Sequence, residues 1–167
     1  GASLSALAKK DEQEAMDIAK KFEREKSMDI LLIIAQMYVA HGNDENHPFF
    51  VTLSQKTSGW DNAAFANTYT DFLKRCSDDT INAGIKILEK IARTEDNRWI
   101  RYFGQKGIKD LTQMYTDREQ KISEQIAQLK AKQNNSSELI TLEQQLAQVQ
   151  IQKQKLTSLY NSVIPPN

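Results

Sequence analysis

Two histidines and two carboxylates fall within one short segment, His41-Gly42-Asn43-Asp44-Glu45-Asn46-His47-Pro48. Imidazole and carboxylate are the groups that move protons near neutral pH and that hold divalent metals, so any chemistry in this chain would start here. The spacing matches no zinc signature, and a calcium loop needs alternating oxygen ligands closed by a glutamate. A solvated loop is therefore expected, with Gly42 just past the end of one helix and Pro48 in the first turn of the next. No metal site and no cofactor follow from it.

The single cysteine, Cys76, excludes an internal disulfide and weakly favours a reducing compartment. It continues an apolar stripe at Phe65, Ala66, Tyr69, Phe72 and Leu73, which predicts a small buried residue and not a nucleophile. Only His41 and His47 are available to activate it. The chain has no glycine-rich phosphate loop, no His-Glu-x-x-His, no cysteine pair and no G-x-S-x-G. No glutamate has a histidine three residues on, as the di-iron carboxylate bundles require. An enzyme is not expected.

One stretch could hold anions. Arg98, Arg101, Gln105 and Lys109 recur at helical spacing beside Tyr102 and Lys106, and such a face suits phosphate groups of lipid headgroups or nucleic acid. The competing expectation is an ordinary junction, with Trp99 and Phe103 in the core and the arginines paired to Glu95, Asp96 or the C-terminal helices. That second reading is favoured, because Gly104 and Gly107 would break the face.

The elements that must position these residues are helices. Glycine and proline are scarce, while Gln, Lys, Glu, Ala, Leu and Ile abound, which places the chain in the all-α class. Twenty-two basic and 22 acidic residues cancel, so no global field argues for nucleic acid, which is not an expected partner. No run of apolar residues is long enough to cross a bilayer, leaving a peripheral anionic membrane as the only membrane partner to consider. Gly1-Ala2-Ser3 reads as a remnant of tag removal, so the natural chain is expected to begin earlier. Location is left open between cytoplasmic and secreted without disulfides.

In chain order, Ser3 or Ser5 caps a first helix to about Lys26, with its stripe at Leu4, Leu7, Ala8, Ala15, Ile18, Ala19 and Phe22. Ile30 to Ala40 is apolar nearly all round and predicts a surrounded central helix. A short helix carries Phe49, Phe50, Val51 and Leu53. Ser58 with Asp61 starts the next, which runs to Cys76. Ser77 caps another, ending near Arg93, and Thr94 caps a separate piece carrying Arg98 to Phe103.

From Ile108 the pattern changes. Ile108, Leu111, Tyr115, Arg118, Ile122, Gln125, Leu129 and Lys132 alternate three- and four-residue steps, and so do Leu139, Leu142, Leu146, Val149, Lys153, Leu156, Tyr160 and Val163. That is a heptad seam. Gln133 to Ser137 is rich in turn formers, Asn135 and Glu138 suit a capping box, and the sequons at Asn134 and Asn135 are expected to be turn residues. Folding back sets Ile108 against Val163, Leu111 against Tyr160, Tyr115 against Leu156, Ile122 against Val149, Gln125 against Leu146 and Leu129 against Leu142. Arg118/Lys153 and Lys132/Leu139 interrupt the seam. Lys130 and Lys132 then meet Glu138 and Glu143.

The predicted architecture is a bundle of about five or six helices over 1–106, an antiparallel coiled-coil hairpin over 107–163, and a tail over 164–167. On the second arm Ile140, Ala147 and Ile151 face away from the seam, a shallow stripe suited to another helix. The expected function is a non-enzymatic protein–protein interaction module, an adaptor or a subunit of a larger assembly, binding a protein partner or a second copy. An anionic-lipid- or phosphate-binding domain using Arg98, Arg101, Lys106 and Lys109 is the alternative. Architecturally the chain is similar to helical bundles with coiled-coil hairpins among secreted proteins and bacterial secretion machinery, an analogy of shape and not of motif.

Overall fold

A computed structural model describes residues 2–132 and 136–165, with side chains from residue 9 onward. Among the described residues the secondary structure is entirely helical: α1 (Ala2–Phe22), α2 (Met28–His41), a 3-10 turn (Asp44–Asn46), α3 (His47–Ser54), α4 (Trp60–Leu73), α5 (Asp78–Thr94), α6 (Arg98–Ala131) and α7 (Ser137–Val163). The chain divides into two compact units, Gly1–Gly104 and Gln105–Asn167.

The centre of the first unit is α4, not α2. Ala63, Phe65, Ala66, Thr68, Tyr69, Thr70, Phe72 and Leu73 are all buried. Its threonines tolerate this because their hydroxyls are satisfied: Thr70 Oγ1 donates to the Ala66 carbonyl at 2.7 Å, and Thr68 Oγ1 accepts from Gln36 Nε2 at 3.1 Å. Phe50 of α3 stacks on Tyr69 at 5.5 Å and on Phe72 at 4.2 Å, and Phe65 stacks on Tyr69 at 5.0 Å. Aromatic side chains contribute large buried areas, so this cluster is the main source of cohesion in the unit.

The apolar run of α2 is one-sided. Leu31, Ile34, Ala35 and Tyr38 are buried at helical spacing, while Ile33 is 61 % exposed and Ile30 37 %. The expectation of a surrounded helix is corrected here. Burial follows the face that meets α4 and not the hydropathy of the run. The stripe of α1 is rotated too: Ala19 is buried, but Ile18 and Phe22 are exposed. Glu12 of α1 lies 3.7 Å from His41 in an exposed pair, and Glu23, just past the end of α1, accepts from the Tyr38 hydroxyl. Ser3 and Ser5 lie within α1, which begins at Ala2, and their side chains, like those of Leu4, Leu7 and Ala8, lie outside the described residues.

Two helix starts also differ from expectation. Gly59, with φ of 56°, is the N-cap of α4, so Ser58 and Asp61 form no capping box. Thr94 is the last residue of α5, and the Asn97 side chain accepts from the Trp99 amide at 2.8 Å to open α6. Ser77 does cap α5, accepting from Thr80 N at 3.4 Å.

The glycines at 104 and 107 do not interrupt α6, which runs unbroken from Arg98. Gly104 is there for closeness. A Cβ at that position would sit 2.7 Å from the Ala92 nitrogen and 2.8 Å from the Leu88 carbonyl, so α5 and α6 touch backbone to backbone.

In the second unit the contacts between α6 and α7 run from Gln105 with Val163 to Lys130 with Glu143, with Tyr115 and Glu119 meeting the neighbours Gln152 and Lys153 between them. Gln105 Nε2 donates to the Val163 carbonyl at 3.2 Å, and Gln152 Nε2 to the Tyr115 hydroxyl at 3.2 Å. Lys153 meets Glu119 at 3.0 Å, and Lys130 meets Glu143 at 3.8 Å. Ile108, Leu111, Tyr115, Leu156 and Val163 are buried. The Gln125 layer is not: Gln125 is exposed and Ile126 is buried in its place. A straight helix makes five turns in 18 residues, which returns Ile126 to the line of Ile108 and rotates the heptad position outward. Of the two interrupting residues beyond Tyr115, Arg118 lies 5.2 Å from the centre of the Tyr115 ring and Lys153 is held by Glu119. Ser136 is the N-cap of α7, so Glu138 stands one place too early for a capping box, and Asn134 and Asn135 lie outside the described residues.

Candidate functional site

The histidine-bearing segment is tied down more firmly than a solvated loop. Asn43 and Asn46 cap each other's backbone, with the Glu45 amide on Asn43 Oδ1 at 2.9 Å and the Asn43 amide on Asn46 Oδ1 at 3.0 Å. Asp44 reaches across to the start of α5 and accepts from the Ser77 amide at 3.0 Å, and hydrogen bonding from the Ser77 side chain, then from its amide, holds the carboxyl below the usual range. His47 lies half-buried, its Nε2 2.6 Å from the Tyr69 hydroxyl and its ring stacked against Tyr69 and Phe72. Gly84 leaves room for that hydroxyl, since a Cβ there would stand 2.7 Å from it.

Burial pushes the Cys76 thiol up to about 12, with Asp44 beside it adding to the effect. A thiol so raised stays protonated at neutral pH and is a poor nucleophile. Its Sγ donates to the Phe72 carbonyl at 3.4 Å. The two histidines do not converge, because His41 sits on an exposed ion pair with Glu12 at 3.7 Å. Among the described residues no three His, Cys, Asp or Glu side chains gather into a group that would hold a metal.

Burial also lowers the pKa of His47, an effect Asp44 partly offsets. The unfolded chain, with an ordinary histidine near 6.5, therefore takes up this proton before the folded one does. Stability is expected to fall as the pH drops from about 7.5 through 6.5, with a second loss below about 4 as Asp44 protonates. Melting temperatures across this range, for the parent and for His47→Gln, test the point. The variant should lose the first decline, and a parent whose melting temperature is flat between about pH 7.5 and 5 would contradict the assignment.

The basic stretch is divided. Arg98 and Arg101 belong to the first unit, Lys106 and Lys109 to the second. Arg101 donates to the Glu95 carbonyl at 2.6 Å and the Asp96 carbonyl at 2.8 Å, closing the end of α5. Lys106 bridges Asp110 at 2.8 Å, Arg98 lies 5.0 Å from the centre of the Trp99 ring, and Lys109 is exposed. Trp99 is 57 % exposed, not in the core; Ile100 takes the buried position and Phe103 is half-buried.

The remaining candidate is on α7. Ile140, Ala147 and Ile151 are all exposed, the two isoleucines at 59 % and 64 %. At 3.6 residues per turn the three lie within about 40° of one another on one side of the helix, opposite Leu142, Val149 and Leu156. Gln144, Gln148, Gln154 and Ser158 beside them are exposed and uncharged, while the exposed Glu143 and Lys155 lie about 60° to either side. No known protein family, no curated protein and no solved structure matches this chain. No helix among the described residues is long and apolar enough to cross a membrane.

Two features have no counterpart in the sequence reading. Trp60 and Trp99 are both largely exposed, and each follows a helix start that was misplaced by one to three residues. Gln152 is buried against Tyr115; its position beside the seam residue Lys153 was the only available sign.

Proposed function

We propose that this protein is a non-enzymatic interaction module: a helical bundle carrying an antiparallel coiled-coil hairpin, with the outward side of α7 receiving a protein partner as an adaptor or assembly subunit would. The observation that supports this is the pair of exposed isoleucines aligned on a helix whose other side is already occupied. Exposed single apolar residues are ordinary. Two β-branched residues three turns apart, with alanine between them and Gln144, Gln154 and Ser158 beside them, form a ridge-and-notch surface for a helix, flanked by Glu143 and Lys155. Burying both isoleucines contributes about 3 to 6 kcal/mol before the costs of association. The reversed contacts of Gln105, Tyr115, Glu119 and Lys130 with α7 support the hairpin as the rigid arm that presents this surface.

The double variant Ile140→Gln, Ile151→Gln tests the reading. Its melting temperature is expected to stay within about 2 °C of the parent, because neither side chain contributes to a core. A drop of about 8 °C or more in dilute protein would show that the stripe is internal and would end the proposal.

A further inference from the structure

We propose that the cleft between α3 and the turn that follows α1 binds a small amphipathic carboxylate, an acyl chain or ring of roughly six to ten carbons ending in an anion. The site lies wholly in the first unit and is independent of the α7 surface.

α3 supplies most of it. Thr52, Leu53 and Lys56 stand three, four and seven residues after Phe49, the spacing that sets side chains along one side of a helix and the turn that ends it. Phe49 and Leu53, with Leu31 of α2, make an apolar floor, exposed by only 8 %, 1 % and 2 %. The floor is held from behind, because Phe49 packs edge-on against Tyr38 at 5.3 Å and against Phe50 at 5.4 Å. Above it opens a cavity of about 310 Å³. That volume suits a ligand of fragment size, and an apolar floor with a few polar groups at its edge is the usual make-up of such sites.

The rim is charged, and unevenly. Arg24 and Lys56 are both exposed at the mouth, and neither side chain has an ion-pair or hydrogen-bond partner among the described residues. The carboxylate at the mouth, Glu23, is held by the Tyr38 hydroxyl, which donates to it. Arg24 and Lys56 are thus the groups available to a ligand. Backbone bonds fix the turns that carry them: the Glu25 amide donates to the Phe22 carbonyl at 3.0 Å, and the Lys56 amide to the Leu53 carbonyl at 2.9 Å. Past Pro48 and Phe49 the cleft continues toward Lys20, Lys21 and Glu45. Positive charge is therefore in local excess here, in a chain whose 22 basic and 22 acidic residues cancel. The floor selects a hydrocarbon tail, and the rim selects an anion over a cation. Both cations reach water, so each contributes modestly, and a Kd on the order of 300 µM follows for a ligand of this size.

Calorimetric titration of the full chain with octanoate, acetate and octylammonium reads tail and charge separately. Octanoate should saturate at one per chain. Acetate, which lacks the tail, and octylammonium, which carries the wrong charge, should each bind at least about tenfold more weakly. Arg24→Gln with Lys56→Gln, both at exposed positions, should keep the parent's melting temperature and weaken octanoate binding at least about threefold. Thr52→Trp, which lays a ring over the floor from an exposed position, should abolish it. The site is overturned by octanoate that does not saturate up to about 10 mM, by octylammonium binding as tightly as octanoate, or by binding undiminished in folded Thr52→Trp protein. Should Thr52→Trp not fold, the double charge variant decides alone, and unaltered octanoate affinity there overturns the proposal.

Discussion

Ile34→Asp is expected to unfold the first unit, while Ile33→Asp, one residue earlier on the same helix, is expected to leave it folded. Ile34 is 3 % exposed and Ile33 is 61 % exposed. An aspartate at 34 would put a carboxylate among apolar side chains with no cation to pair it, a cost of several kcal/mol. A unit whose entire stability is about 5 to 15 kcal/mol does not survive many such losses. At 33 the side chain reaches water, and exposed substitutions of this kind change stability by about 0.5 kcal/mol or less. Leu32, half-buried, should fall between the two. Urea unfolding of the three variants orders them; equal midpoints for 33 and 34 would show that α2 does not present the side described.

Gly104→Ala is the second large effect, and here two terms oppose. Replacing a mid-helix glycine by alanine favours the helix by about 0.8 to 1 kcal/mol. Against this, the new Cβ would lie 2.7 Å from the Ala92 nitrogen and 2.8 Å from the Leu88 carbonyl. Both are backbone atoms of α5, which cannot rotate away as a side-chain tip would, so the helices must separate. Overpacking of this kind costs about 1 to 3 kcal/mol and sometimes more. Separation also loosens Ala92 and Leu88, which are buried. The steric term wins, and a net loss of up to about 2 kcal/mol is expected in chemical denaturation. Gly104→Leu should be worse. A stabilised Gly104→Ala would mean that α5 and α6 are not in backbone contact.

The two results share a lesson about which signals a sequence carries. The strongest hydropathic run, Ile30 to Ala40, predicted the central helix and was wrong. The central helix is α4, whose threonines and tyrosine lower its hydropathy but find partners inside: Thr70 on its own helix, Thr68 on Gln36, Tyr69 on His47. Burial is decided by whether polar groups are satisfied after packing, and a linear pattern cannot show that. Likewise Gly104 looked like a helix breaker. It proved to be a contact point, because a glycine's missing Cβ serves a neighbour that only the fold brings near.

What the sequence by itself determined is local. Helical class and the Ser77 cap follow from propensity and from a side chain that reaches its own backbone. The exposure of Ile140 and Ile151 follows from a period that keeps them opposite Leu142 and Val149. What only the tertiary structure decided is which turn of each periodic pattern faces inward. The heptad placed Gln125 in the seam, but a straight 3.6-residue helix drifts about 20° per heptad, and over the length of α6 that drift carried Gln125 out and Ile126 in. Asp44 on the start of α5 and His47 on Tyr69 are 33 and 22 residues apart in the chain. Contacts that distant depend on how the helices cross, and crossing is set by the sum of all the side chains between them.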